Sequence, residues 1–274
     1  MPELPEVETI RRALKNGGRG AESILGQRVL ESCLLWERTL AEPSSVEFQR
    51  RILKQEIKDL DRRGKFLLIR LSADTLIIHL RMSGDLIVVN HSKPVATHDR
   101  LWLGLESGQR LAFNDTRKFG RAWLVADPQK VVGGLGPEPL EDHFTPQIFH
   151  QSLHAHRRQL KPLLLDQTFI AGLGNIYTDE ALHMAQLHPL IISNSLDTSQ
   201  SKRLWSSIRQ VLQEGIERQG ASIDWVYRGG DFQNYFRVYQ RTGEACLRCG
   251  SPIVRITVGQ RGTHFCAKCQ PPPE

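Results

Sequence analysis

Four of the chain's five cysteines fall into two close pairs, Cys246-x2-Cys249 and Cys266-x2-Cys269, sixteen residues apart. No other feature constrains the fold of its region so tightly. Each short pair turns two thiolates to one face of a metal, and two such turns complete a tetrahedron. Four protein ligands leave no open position for water, so the spacing predicts one structural Zn2+ rather than a catalytic one. The hairpin between the pairs carries Arg255, Arg261 and His264. Arginines on a metal-pinned hairpin suit a nucleic-acid groove; zinc ribbons also bind proteins, and the module alone leaves both partners open. Cys33 stands apart in an apolar run, Cys33-Leu34-Leu35-Trp36, and is expected to be a small buried side chain.

Charge points the same way as the hairpin. The 274 residues carry a net +6 and a pI of about 9.2, which favours a polyanionic partner. From Phe236 onward, Arg237, Arg241, Arg248, Arg255, Arg261 and Lys268 face only Glu244 and Glu274, a small basic module. No apolar run approaches the roughly 18 residues a membrane span needs. The opening MPELPEVETI is acidic where a signal peptide is basic and then apolar. The expectation is a cytoplasmic protein without a membrane partner, and intracellular thiols fit metal better than disulfides.

Periodicity divides the chain. Val7, Ile10 and Leu14 predict a helix after Pro5 that stops at Gly17-Gly18. From about Ile24 to Val125 short branched and aromatic runs take over: Phe66–Leu71, Thr75–Leu80, Leu86–Val89, Leu101–Leu105 and Ala122–Val125. Turn signals at Arg63-Gly64, Ser83-Gly84 and Ser107-Gly108 separate them, as in an antiparallel sandwich. The Pro/Gly-rich stretch from Asp127 to Pro146 reads as a linker. Helical period follows over Pro146–His154, Gln159–Leu165, Asn175–Ala185 and Ser199–Glu217, then a Gly-rich polar loop from Gly220 to about Tyr235. The resulting division is 1–130 for the helix and sandwich, 131–145 for the linker, 146–235 for the helical domain and 236–274 for the zinc module.

Pro2 is the most consequential residue near the start. Removal of the initiator Met exposes a secondary amine of pKa near 8, unprotonated often enough at neutral pH to act as a Schiff-base nucleophile. Added to C1′ of a sugar, such an amine gives an iminium that is cationic at every pH, an electron sink for removing the C2′ proton. Glu3 and Glu6 supply carboxyl groups for the accompanying proton transfers. On these residues alone a second reading stands beside the first, since Pro-Glu at a helix start is also favourable for capping and the macrodipole.

The opening PELPEVET resembles the bacterial formamidopyrimidine-DNA glycosylase family, and the likeness recurs along nearly the whole chain. It is carried by Arg63-Gly64-Lys65, His79-Leu80-Arg81-Met82-Ser83-Gly84, Asp115-Thr116-Arg117-Lys118-Phe119-Gly120 and Leu160-Lys161-Pro162. Gly172-Leu173-Gly174-Asn175-Ile176-Tyr177 and Gln260-Arg261-Gly262-Thr263 complete it. The resemblance implies an α+β chain with an N-terminal helix and β-sandwich, a helix–two-turn–helix domain and a C-terminal β-hairpin zinc finger. It implies a monomeric bifunctional enzyme, without organic cofactor, that excises 8-oxoguanine and formamidopyrimidines from double-stranded DNA and cuts the strand by β- and δ-elimination. Pro2 is then the nucleophile, Glu3 the donor to the sugar ring oxygen, Glu6 a supporting acid that orients its neighbours, and Lys65 a ligand of phosphates flanking the lesion.

The same resemblance assigns the DNA-facing residues. A base inside the stack is out of reach and must be everted at a cost of about a few kcal/mol. Met82 resembles the family's void filler, Phe119 its wedge and Arg117 the donor to the estranged cytosine. Taken singly, the first two read as core and the third as a surface charge. Lys161, Asn175 and Arg261 are assigned to phosphate clamping, and Tyr177 either supports the lesion pocket or packs. The chain departs from the family at Gly220-Ala221-Ser222-Ile223-Asp224-Trp225, where Ser222 keeps a hydroxyl for the lesion loop. An endonuclease VIII-type enzyme is the nearest rival, but such chains usually begin Pro-Glu-Gly-Pro and lack the trio, and Leu4 and the trio here favour the purine enzyme. A non-catalytic DNA binder on this scaffold would have lost Pro2, Glu3 or Lys65.

Overall fold

The computed structural model describes residues 1–222 and 229–273, which fall into two compact units. The first comprises 1–134 and 219–230 and the second 135–218 and 231–274.

The first unit opens with α1 (Leu4–Asn16), whose Val7, Ile10 and Leu14 form the inward stripe that the sequence predicts. Next come β1 (Val29–Leu34), β2 (Leu40–Glu42), α2 (Ser45–Ile52), β3 (Ile57–Arg63), β4 (Phe66–Leu71) and β5 (Thr75–His79). After these lie β6 (Gly84–Asn90), β7 (Asp99–Leu105), β8 (Gln109–Asp115), β9 (Arg121–Val125) and the single turn α3 (Gln129–Val132). Two sheets form, one ordered β1-β7-β8-β6 and the other β2-β9-β5-β4-β3. All pairings are antiparallel except the short parallel contact of β2 with β9.

Alternation decides which side chains enter the core. Leu67, Ile69 and Leu71 of β4, Leu76 and Ile78 of β5, Leu101, Leu103 and Leu105 of β7, and Leu111 and Phe113 of β8 join one buried cluster with α1. Each such side chain contributes roughly 1.5–3 kcal/mol of transfer free energy. Helix α2, not foreseen in a region read as strands, starts on Ser44, whose hydroxyl accepts from Glu47 N–H, and adds Phe48 and Ile52 to that core. Cys33 on β1 is half-buried rather than buried, because its strand lies at the edge of its sheet.

The second unit holds α4 (Pro146–His154), α5 (Leu160–Leu164), α6 (Asn175–Ala185), α7 (Thr198–Glu217), β10 (Ile253–Val258) and β11 (Arg261–Cys266). Thr145 caps α4 ahead of Pro146 at the first helical position, and Asp197 with Gln200 makes a capping box on α7. Helix α6 is buried nearly all round, including Asp179 and Glu180, as befits a central helix. The stretch expected to be a linker is instead bound into this unit from Leu135 on. Gly136 N–H donates to Gln167 O, Ala171 N–H to Pro137 O and the Trp205 indole to Phe144 O. A Cβ at Gly136 would lie 2.6 Å from Thr168 O, so its glycine serves close packing rather than flexibility. Among the described residues no helix is long and apolar enough to cross a membrane.

Candidate active site and zinc centre

The first turn of α1 concentrates the acidic candidates of the first unit. Pro2 is buried, and Glu3 and Glu6 are each 2% exposed. Glu6 Oε2 accepts the Glu3 backbone N–H at 2.7 Å, and Oε1 accepts that of Ala221 at 2.7 Å. One carboxylate thereby fixes both the residue after Pro2 and the start of the loop that follows Gln219. Gly220, at φ +83°, has no room for a side chain, because a Cβ there would lie 2.7 Å from Glu6 Oε1. Glu8, one turn on, binds Arg11, Arg12 and Arg62. Burial raises its pKa, but these guanidinium groups outweigh it and hold Glu8 down to about 2.

Lys65 is buried at the β3–β4 turn, next to Phe66, which pairs with His79 across the sheet. The His79 ring packs edge-on to Phe66 at 4.6 Å, and its Nδ1 accepts the Arg81 N–H. Burial, then the charges of Arg81 and Lys65, push His79 down to about 3, so it is neutral at physiological pH. A neutral ring with a lone pair on Nδ1 is what lets it receive that N–H and shape the turn carrying Met82.

Met82, Arg117 and Phe119 come together at one edge of the sandwich, where β6 begins opposite the end of β8. Met82 is 38% and Phe119 51% exposed, against the ordinary preference of both side chains for the interior. The Arg117 guanidinium lies 5.3 Å over the Phe119 ring. Asp115, 1% exposed, stitches the two loops. It accepts from the Ser83 hydroxyl, from Arg117 N–H at 3.2 Å and from Gly120 N–H at 2.7 Å. Gly84 and Gly120 are forced by contact: a Cβ would lie 2.5 Å from Leu80 O in one case and 2.3 Å from Phe113 in the other. Asp115 and Ser83 were not singled out from the sequence, although both sit inside the motifs carrying the trio.

Ser222 marks the neck of the Gly-rich loop. Its hydroxyl donates to Gly230 O at 2.8 Å and accepts the Gly230 N–H at 3.1 Å. The hydroxyl expected to face the lesion is thus engaged in closing the loop's base. Asp224 and Trp225, where the chain departs from the family pattern, lie outside the described residues.

In the second unit Asn175 begins α6 after Gly172, at φ +92°, and Gly174. The Gln167 side chain fixes this approach, accepting from Gly172 N–H and donating to Leu173 O. The start of an eleven-residue helix is the positive end of its dipole and favours an anion. Arg261 is exposed at the first residue of β11. Two assignments change here. Lys161 is 0% exposed and donates to Asp179 Oδ1 at 2.6 Å, so it does not reach a phosphate. Tyr177, also 0% exposed, stacks on Phe232 at 5.2 Å and presses on Gly215, so it packs rather than touching DNA.

The four cysteine Sγ atoms lie within 4.8 Å of one another, with Cys249–Cys266 at 3.5 Å and Cys246–Cys269 at 4.0 Å. A zinc tetrahedron with bonds of about 2.3 Å has sulfur–sulfur edges of roughly 3.8 Å, so the donor set fits one ion. His183 of α6 places Nε2 3.4 Å from Cys246 Sγ. A metal-bound thiolate has no proton, so the histidine must donate, which offsets negative charge on sulfur. His183→Phe is expected to speed zinc release to a chromogenic chelator by about 10-fold or more; an unchanged rate would show the contact to be incidental.

A β-sandwich led by a Pro-Glu helix, a helix–two-turn–helix body and a four-cysteine hairpin together define a DNA glycosylase architecture. The model of the formamidopyrimidine-DNA glycosylase N-terminal domain matches residues 1–122. The H2TH domain model of the same glycosylase matches 135–226, and that of the zinc finger found in FPG and IleRS matches 243–272. The chain belongs to the formamidopyrimidine-DNA glycosylase family. It is 42% identical to the formamidopyrimidine-DNA glycosylase of Protochlamydia amoebophila, over 98% of this chain and 99% of that one. It is 45% identical to that of Chloroflexus aurantiacus, over 98% of each. Among solved structures, Lactococcus lactis Fpg (MutM) in complex with N7-benzyl-Fapy-dG DNA superposes with a TM-score of 0.91 at 37% identity, covering 99% of this chain and all of that one. MutM in complex with carbocyclic 8-oxo-G DNA superposes with a TM-score of 0.91 at 38% identity, covering 99% of this chain and 100% of that one.

Proposed function

We propose that this chain is a bifunctional DNA glycosylase and abasic-site lyase that removes oxidised purines, 8-oxoguanine and formamidopyrimidines, from duplex DNA. The observation that carries the reading is the start of α1, where Pro2 and two buried carboxylates meet in one turn, with Glu6 holding the Glu3 backbone. Whole-length family membership supports it, as do relatives bound to damaged DNA.

With Met1 removed, the Pro2 nitrogen adds to C1′ and the base departs with the electrons of the glycosidic bond. Glu3 gives its proton to the ring oxygen, the sugar opens, and the Pro2 iminium draws electrons from the C2′–H bond. Loss of that proton expels the 3′ phosphate, a second elimination expels the 5′ phosphate, and water frees proline from the sugar remnant. Lys65 neutralises phosphate beside the reacting sugar. Met82 and Phe119 fill and wedge the space left by the everted nucleotide, while Arg117 binds the opposite cytosine. Asn175 and Arg261 hold phosphates. Zinc is structural and takes no part in the steps. The enzyme acts as a monomer on the cytoplasmic chromosome.

Borohydride reduces an iminium to a stable amine, so it should trap a covalent enzyme–DNA adduct on an 8-oxoguanine:cytosine duplex. Equal or stronger trapping on oxidised-pyrimidine duplexes alone would move the assignment to the pyrimidine-specific enzymes. No adduct with either lesion class would refute the chemistry.

A further inference from the structure

Lys161 and Asp179 form an ion pair in which both side chains are 0% exposed. Burying two charges is a poor route to stability, since well-packed apolar residues of similar volume often do as well or better. What the pair does hold is the hairpin. Lys161 Nζ also donates to Gly262 O at 3.1 Å, and Asn175 Nδ2 donates to the same oxygen at 3.0 Å. Asp179 Oδ2 accepts the His264 N–H at 2.9 Å. At the tip, Gly259 (φ +54°) and Gln260 (φ +62°) make a two-residue turn, and a Cβ at Gly259 would meet Pro162, the neighbour of Lys161, at 3.3 Å. Arg255 lies so close over Gly262 that a Cβ there would be 2.7 Å from its Nη2. The exposed Arg261 sits between these fixed points.

We propose that the buried Lys161–Asp179 pair is a positioning device that sets the direction of Arg261 toward a DNA phosphate and ties it to Asn175 at the start of α6. The proposal rests on the reading of Arg261 as a phosphate ligand. It also gives the lysine of the Leu160-Lys161-Pro162 motif a task consistent with its burial.

The test is the salt dependence of binding to a fluorescein-labelled duplex carrying a tetrahydrofuran abasic analogue. Arg261→Ala should lower the slope of log Kd against log salt by about 1, the mark of one lost phosphate contact. Lys161→Met with Asp179→Leu should lower it by the same amount although Arg261 is still present, with zinc at one per chain and the thermal midpoint near that of the parent. Adding Arg261→Ala to that pair should change the slope no further. If Arg261→Ala leaves the slope unchanged, the proposal falls together with the phosphate reading. If Arg261→Ala lowers it and the apolar pair does not, the pair is merely structural and the proposal alone falls. Should the apolar pair fail to fold, Gly262→Ala serves instead, since its Cβ would press on Arg255 and shift the carbonyl that Lys161 holds; a parental slope there would overturn the proposal.

Discussion

A Pro2→Gly chain should lose at least about 10²-fold in single-turnover cleavage of an 8-oxoguanine:cytosine duplex, the lower end of what a misplaced catalytic group costs. Glycine still offers an α-amine of pKa near 8, so attack itself is not abolished. Its imine, however, carries a dissociable proton and is neutral above its own pKa, whereas the proline iminium has no proton to lose. The electron sink therefore weakens at the pH where the enzyme works. Glycine also gives up the ring that fixes φ near −65° and pre-sets the nitrogen beside Glu3. A chain that keeps Met1 should be inactive in both steps, because its Pro2 nitrogen is a tertiary amide. Glu3→Gln should separate the steps, costing about 10²–10⁴-fold in base excision while largely sparing cleavage of a preformed abasic site. Parental rates for a chain shown by intact mass to retain Met1 would remove Pro2 from the mechanism.

The elements behind these residues were largely legible because short-range pattern governs them. Phe66–Leu71, Pro146–His154 and Asn175–Ala185 have the bounds that periodicity suggests. Helix α2 has a local signal, a Ser44 cap ahead of Phe48 and Ile52, but its eight residues are too few for a helical period to stand out among strand-like runs. The parallel contact of β2 with β9 joins residues some eighty positions apart, and no local pattern announces it. Lys161 shows the same limit at the site. Its motif is visible, but its burial depends on Asp179 and on Gly262, 18 and 101 residues away. Asp115 was hidden for a different reason. A carboxylate among basic and aromatic neighbours reads as surface until Ser83, Arg117 and Gly120 are seen to converge on it. Met82 and Phe119 are exposed, but so are Val46 and Leu247, and it is their motifs and the Arg117 guanidinium over the Phe119 ring, not exposure alone, that single them out.

Cys266→Ser is expected to abolish stoichiometric zinc binding and to weaken duplex binding by about 10²-fold, equivalent to two charge-assisted hydrogen bonds of about 1.5 kcal/mol each. Apart from the polar ties of Gly262 and His264 to α5 and α6, the zinc hairpin has little apolar packing of its own. Its own buried cluster consists of Val238, Ile253 and the cysteines, far too small to order a strand pair unaided. Metal binding in such modules supplies about 10–16 kcal/mol of apparent free energy, which here becomes the ordering energy of β10 and β11. A serine oxygen sits closer to the backbone than sulfur and is a poor zinc ligand at neutral pH, so three thiolates remain at an open site. Disordering the hairpin frees Arg261 from the fixed points at Gly262 and His264 and also strips Asp179 of the His264 N–H. The sandwich core of the first unit, with its own large cluster around Phe113 and Leu67, should unfold at the parental temperature. Zinc content by chelator titration, binding to the abasic-analogue duplex and a thermal scan distinguish these effects. Full zinc content in the serine variant would refute the four-cysteine centre, whatever happens to binding.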